Sequence, residues 1–204
     1  GGGATTPCTT DTTDIFGDSN GLALYSFDYD ASTAPDATTD YSGTPGDIEF
    51  GNDAQINWGA RFNGSSSFIN TNFTVPASST FTISWWMNAN PSGGGSDNDY
   101  IMGDASSAGS GDTFNIYLNG SSIGYFGGTD FNSGGGVISN CTGSWMHFVL
   151  VLNGTTLNFY KDGSLARTET ITARSAAGTN TLVLGRYGHY SGGTQFNFSG
   201  DIDQ

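Results

Sequence analysis

Trp145-Met146-His147-Phe148-Val149-Leu150-Val151-Leu152-Asn153-Gly154-Thr155-Thr156-Leu157-Asn158-Phe159-Tyr160-Lys161-Asp162-Gly163 reads as two antiparallel strands placed back to back. Trp145 to Leu152 is almost wholly apolar, and Asn153-Gly154 is a strong two-residue signal for a tight hairpin. The alternating run from Thr156 to Lys161 then ends on Asp162-Gly163, a second signal of the same kind. A strand-turn-strand-turn meander of this length fits the short strands of an all-β domain.

Working outward, further strands are predicted at Leu22 to Phe27, Asp47 to Phe50, Ile56 to Phe62, Ser67 to Asn70, Thr80 to Asn88, Tyr100 to Gly103, Thr113 to Leu118 and Ser122 to Phe126. Beyond Trp145 to Leu152 and Thr156 to Lys161, the series continues with Ser164 to Thr170, Asn180 to Arg186 and Phe196 to Ile202. Asn119-Gly120-Ser121 is a hairpin turn. Asn90 to Asp99, Asp104 to Asp112 and Gly127 to Gly143 are long loops, of the kind that carry function or move. No segment holds a helical period, and frequent short strands between Gly-rich and Asx-rich turns are the signature of a sandwich or barrel. The length of 204 residues suits one domain. Residues 1 to 20 are Gly, Thr and Asp with little to bury and read as a linker or arm, so the domain is expected to run from 21 to 204.

The pattern W-x7-N-G-x5-Y-x-D-G resembles the laminin G-like, or concanavalin A-like, lectin and glucanase jelly roll. Leu22-Ala23-Leu24-Tyr25-Ser26-Phe27-Asp28, Ala60 to Ile69, and Phe81-Thr82-Ile83-Ser84-Trp85-Trp86-Met87 fall in the order that family shows, and Leu182 to Gly185 and Phe198 to Asp203 follow where it places its last strands. The resemblance covers roughly Leu22 to the end and implies an antiparallel two-sheet jelly-roll β-sandwich. Cys8 to Asp18 is also similar to the lead-in of such domains in structural proteins of marine bacteriophages. The chain starts Gly1-Gly2-Gly3 and stops at Gln204, where the family would continue into a final strand, so it is expected to be a segment of a larger polypeptide.

The net charge is −14, carried mostly by Asp, since Glu49 and Glu169 are the only glutamates. Phosphate neutralisation needs clustered Lys and Arg, and Lys161 is the only lysine, so nucleic acid is disfavoured as a partner. The same repulsion disfavours an anionic membrane surface, and no apolar run approaches a membrane span. Such a charge suits the solubility of a surface-exposed protein, with cation binding as the alternative. Cys8 and Cys141 allow one bridge, which would stabilise by about 4 kcal/mol in the chain-entropy model; two free thiols are the alternative.

The hydrolytic branch of the resembled family uses an E-x-D-x-x-E strand. The nearest approach here is Asp201-Ile202-Asp203-Gln204, which lacks both glutamates, while Glu49 and Glu169 fall on separate predicted strands. Two carboxylates at a set separation are therefore not in place for glycoside hydrolysis, and no enzyme is expected. His147 alternates with the apolar residues of its strand and reads as structural.

Calcium is the ion that abundant oxygen ligands suit, and the resemblance implies Asp28 together with Asp201 or Asp203 as its ligands. A second candidate is Asp97-Asn98-Asp99 with Asp104, and each Asp has the alternative of capping its own turn. Sugars stack on exposed aromatic faces. Trp85 and Trp86 are adjacent on a strand, so one faces the core and Trp86 is taken as the ligand-facing member. Tyr187, His189 and Tyr190 in a Gly-rich loop complete the candidate ligand set. The sequons at Asn63, Asn72, Asn119, Asn140, Asn153 and Asn197 follow from composition alone.

These readings point to a non-catalytic, lectin-like domain on a virion surface or other extracellular appendage. Its partners would be carbohydrate on a host or cell surface and other subunits of the assembly. The alternative is a purely structural decoration or spacer domain without a glycan ligand.

Overall fold

The structure is a computed structural model and describes residues 20–28, 41–75, 80–90, 99–104, 114–120, 122–126, 130–132, 143–171, 181–187 and 197–204. The described residues form fourteen strands: β1 (Thr44–Gly46), β2 (Glu49–Asp53), β3 (Trp58–Asn63), β4 (Phe68–Thr74), β5 (Thr80–Ala89), β6 (Asp99–Asp104) and β7 (Asn115–Asn119), followed by β8 (Ser122–Phe126), β9 (Asp130–Asn132), β10 (Met146–Asn153), β11 (Thr156–Lys161), β12 (Ser164–Thr170), β13 (Thr181–Leu184) and β14 (Ser199–Asp203). No helix occurs among the described residues. The first sheet runs β1-β4-β13-β6-β7-β8-β9 and the second β12-β11-β10-β5-β14-β3-β2. Every ladder between these strands is antiparallel.

The meander that begins at Trp145 forms β10, β11 and β12 at one side of the second sheet. Its first turn sits one residue later than the sequence suggests. Asn153 still pairs with Thr156, so Gly154 and Thr155 are the central pair, and only Gly154 has positive φ (64°). That is the arrangement of a type II′ turn, which wants glycine first. At the second turn, Asp162 and Gly163 have φ of 50° and 78°, the type I′ pattern read from the sequence.

The two sheets bury one core. Trp85 stacks on Phe148 (centroids 5.6 Å apart) and meets Phe159 edge-on at 6.3 Å, joining β5, β10 and β11. Phe81 of β5 meets Phe114 at 5.7 Å, and Phe114 meets Tyr125 of β8 at 5.9 Å, which carries the aromatic packing across to the first sheet. Buried apolar side chains of this size contribute about 1.5–3 kcal/mol each, so this seam is the main source of cohesion.

Three departures from the sequence reading have local causes. Leu22 to Phe27 is no strand: Phe27 adopts φ 56°, which breaks an extended ladder, and the segment is held instead by the Phe27 side chain in the core and by the Tyr25 hydroxyl donating to the Tyr41 carbonyl (2.7 Å). β1 was hidden because Pro45-Gly46 reads as a turn; it is an edge strand, where a missing N–H is tolerated. β9 lies inside the stretch expected to be a loop, its Asp and Asn having low strand preference. The arm at residues 1–19, both cysteines and most of the three long loops lie outside the described residues.

Gly200 is the position where β14 tolerates no side chain. Its φ is +140°, and a Cβ there would lie 2.5 Å from the Asn88 carbonyl oxygen and 2.9 Å from the Ala89 Cα. Gly200→Ala is expected to cost about 3 kcal/mol or more, from the strained conformation and the backbone clash together, read out as a lower urea midpoint. A variant as stable as wild type would show that β14 can shift along β5.

Candidate functional site

Alternation along β5 and β10 decides what faces out. Trp85, Met87 and Ala89 point into the core, so Ser84, Trp86 and Asn88 point away from it. On β10 the buried set is Phe148, Leu150 and Leu152, which turns His147, Val149 and Val151 outward. His147 pairs with Trp86 in the ladder, and the two rings lie 4.9 Å apart with their planes inclined by 35°. The imidazole Nε2 and the Ser84 hydroxyl share a 2.8 Å hydrogen bond. Asp162 of the type I′ turn anchors the same strand end: its carboxylate accepts from the His147 N–H at 2.9 Å, and its own N–H donates to the His147 carbonyl at 2.8 Å. Trp145 lies across this face, its Cη2 atom 3.7 Å from where a Cβ on Gly59 of β3 would sit. The result is a half-exposed aromatic platform, Trp86 with His147, on the outer face of the second sheet and bordered by hydroxyl and amide groups.

Next to Trp86 in the ladder, on β14, comes Asp203, and Asp201 shares its face. Asp203 is fully buried, because the turn at 55–57 folds over it. The Ile56 N–H donates to its Oδ2 (2.7 Å) and the Gln204 N–H to its Oδ1 (2.8 Å). Asp28 grips the same turn, accepting from the Trp58 N–H (3.2 Å) and from Asn57 Nδ2 (3.4 Å). Burial, with a smaller contribution from the nearby Asp28 charge, pushes the Asp203 carboxyl up to about 6. Asp201 is ion-paired to Arg61 at 2.8 Å, and that bond raises the guanidinium pKa.

The structure thus brings Asp28 and Asp203 together as expected, but their oxygens face N–H donors of one turn, and Asp201 faces a guanidinium. Such a donor set does not fit calcium as it stands. Among the described residues, no three of His, Cys, Asp and Glu gather closely enough to hold a metal. Of the second calcium candidate, Asp99 and Asp104 lie at opposite ends of β6, about 17 Å apart at ~3.4 Å per residue, and so cannot share an ion; Asp97 and Asn98 lie outside the described residues.

The candidate ligand residues are split. Trp86 is on the outer face of the second sheet, whereas Tyr187 follows β13 and packs on Tyr100 of β6 (4.8 Å), on the outer face of the first. His189 and Tyr190 lie outside the described residues. His147, read from the sequence as structural, is half-buried on the outer face with its ring against Trp86. The alternation of Phe148, Leu150 and Leu152 already contained that signal, since whatever precedes Phe148 must face out. Glu49 and Glu169 lie on β2 and β12, the two edge strands of one seven-stranded sheet, six strand spacings apart, or roughly 28 Å.

Comparison with known proteins agrees with this architecture. The sequence profile of the concanavalin A-like lectin/glucanases superfamily matches residues 62–204. No curated protein sequence matches significantly. Among solved structures, domain 4 of AbnA, a GH43 extracellular arabinanase from Geobacillus stearothermophilus, in complex with arabinotriose, is similar with a TM-score of 0.66 at 19% identity, covering 89% of this chain and 88% of that one. The binding domain of Paraclostridial Mosquitocidal Protein 1 gives a TM-score of 0.64 at 15% identity over 89% of this chain, which spans 47% of that chain's length. A heptameric SAP-like pentraxin from Limulus polyphemus gives 0.54 at 17% identity, covering 76% of this chain and 72% of that one.

Proposed function

We propose that this chain, which belongs to the concanavalin A-like lectin/glucanase superfamily, is a non-catalytic carbohydrate-binding domain that seats sugar rings on Trp86 and His147. The observation that carries the reading is the 4.9 Å Trp86–His147 pair, half-exposed and lined by the Ser84 hydroxyl and the Asn88 amide. An aromatic plane beside fixed polar groups is what recognises the apolar face and the hydroxyls of a pyranose or furanose. The arabinotriose complex of the similar arabinanase domain and the toxin binding domain support the same reading. Hydrolysis is disfavoured because the two glutamates sit on opposite edge strands and Asp203, whose carboxyl is raised by burial, is closed off from any ligand beneath the 55–57 turn. The setting we propose is the outside of a virion or cell, where a charge of −14 keeps a displayed domain soluble.

A structural, ligand-free role has one observation of its own. Ile56 and Trp58, in and beside the turn over Asp203, are 40% and 46% exposed and offer an apolar contact to a neighbouring subunit. The two readings separate on a panel of neutral polysaccharides, arabinan included, measured by calorimetry with calcium and with chelator. Binding with or without calcium is expected. Trp86→Ala should weaken it about tenfold or more, at an unchanged melting temperature. A folded protein that binds nothing in either buffer would leave the structural role standing.

A further inference from the structure

On the outer face of the first sheet a row of large side chains runs at one level between the edge strand β1 and β8. Phe68 of β4 lies over Gly46 of β1, and Tyr117 of β7 lies over Gly124 of β8, where a Cβ in either glycine position would collide with the ring. Between these ends, Tyr100 of β6 meets Tyr117 at 5.5 Å and Tyr187 at 4.8 Å. Beside Tyr187, the Arg186 guanidinium carbon stands 3.6 Å from the centroid of the Phe68 ring. Asn197 holds the stripe together from below, bridging to both Tyr100 and Arg186 through backbone pairing.

Arg186 differs from the paired arginines of this protein. Arg61 holds Asp201 and Arg167 holds Glu169, but no carboxylate pairs with Arg186 among the described residues. Its Nε is buried without an acceptor, and its only side-chain hydrogen bond among the described residues is to the Asn70 amide oxygen, at a long 3.5 Å. In a chain with 19 acidic and 5 basic residues, none of the described carboxylates is placed beside it. Stacking on Phe68 offsets only part of the desolvation of a half-buried cation and gives Nε nothing to donate to. Burial also holds the guanidinium below its ordinary pKa, the direction expected where no anion compensates.

We propose that Arg186, with Phe68, Asn70 and Tyr187, forms a second ligand site selective for anionic sugars, in which the guanidinium takes a uronate carboxylate or a sulfate ester and the tyrosine supports the ring. The planar fork of Arg suits two parallel hydrogen bonds to either group, and the Asn70 amide stands where it can bind an adjacent hydroxyl. This site is on the opposite sheet from Trp86 and does not depend on it.

Calorimetry of the whole chain with three probes tests this: oligogalacturonate, its methyl ester, and a sulfated galactan oligosaccharide. At least one anionic probe should bind tenfold or more tightly than the methyl ester, with affinity falling as salt rises, and the two anionic arms distinguish carboxylate from sulfate. Arg186→Gln should remove that preference and Arg186→Lys retain part of it, while Trp86→Ala leaves it intact. Asn70 is exposed, so Asn70→Asp leaves the fold alone and places an internal carboxylate beside the guanidinium; it should cut the anionic affinity at least tenfold. Equal binding of esterified and free oligomers, no binding of either anionic probe, or an Asn70→Asp variant with full anionic affinity would overturn the site.

Discussion

Replacing Trp85 with alanine is expected to remove about 3–5 kcal/mol of stability, whereas the same change at its neighbour Trp86 should cost less than about 1 kcal/mol and weaken the proposed binding of neutral glycans instead. The contrast follows from one residue of alternation. Trp85 is 2% exposed and wedged against Phe148 and Phe159, so its loss leaves a cavity at the seam of three strands. Trp86 stands on the outer face, its ring against that of His147 and outside the core. Urea denaturation of the two variants, with the slope checked for constancy, reads the difference directly. Trp85→Phe should lose much less than alanine: it keeps a ring in place and removes an indole N–H that is buried without an acceptor. Equal destabilisation by Trp85→Ala and Trp86→Ala would mean that the strand is rotated from the facing described here.

Acidification from pH 7 to pH 5 should stabilise the protein, contrary to the usual behaviour of acidic proteins rich in ion pairs. Asp99 and Asp203 are both raised from 3.8 to about 6, each chiefly by burial. The folded state therefore holds protons that the unfolded state releases between about pH 4 and 6, and the unfolding free energy falls as pH rises through that window. Fully protonated at low pH, the two groups carry no penalty; above pH 6 the penalty is complete. Between pH 7 and pH 5 the gain is about 1 kcal/mol per group, or about 2 kcal/mol together. Asp99→Asn should remove about half of that dependence, because Asp99 Oδ1 has no hydrogen-bond partner to lose. A midpoint that drops between pH 7 and pH 5 would contradict the burial of both carboxyls.

Those two results rest on features of unequal legibility in the chain. Hairpin chemistry is local, and so the bounds of β8, β11 and β12 coincide with the stretches read from Ser122 to Phe126, Thr156 to Lys161 and Ser164 to Thr170. The inward or outward facing of Trp85 and Trp86 is equally local. Sheet membership is not. β5 and β13 are both apolar strands, yet they lie in different sheets, so Trp86 and Tyr187, grouped by residue type, are held on opposite outer faces. The family resemblance implied Asp28 beside Asp201 or Asp203, and the structure sets Asp28 and Asp203 on one turn. The cover over them was not implied, because it depends on the 55–57 turn, where Asn57 takes φ 50° within an otherwise ordinary polar stretch. Arg186 carried no signal at all, since an arginine without a carboxylate is visible only once its surroundings are known.

The opposed placement of Trp86 and Tyr187 has a mechanical consequence. Packed sheets lie about 10 Å apart, and with side chains standing off both outer faces, one short oligosaccharide cannot touch both platforms. With both proposed sites occupied, such a domain would have the valency of a rivet. Each copy would join two separate polymer strands across its own thickness, and an array of copies would turn individually weak contacts into avidity, provided the spacing between strands matches the thickness of the sandwich.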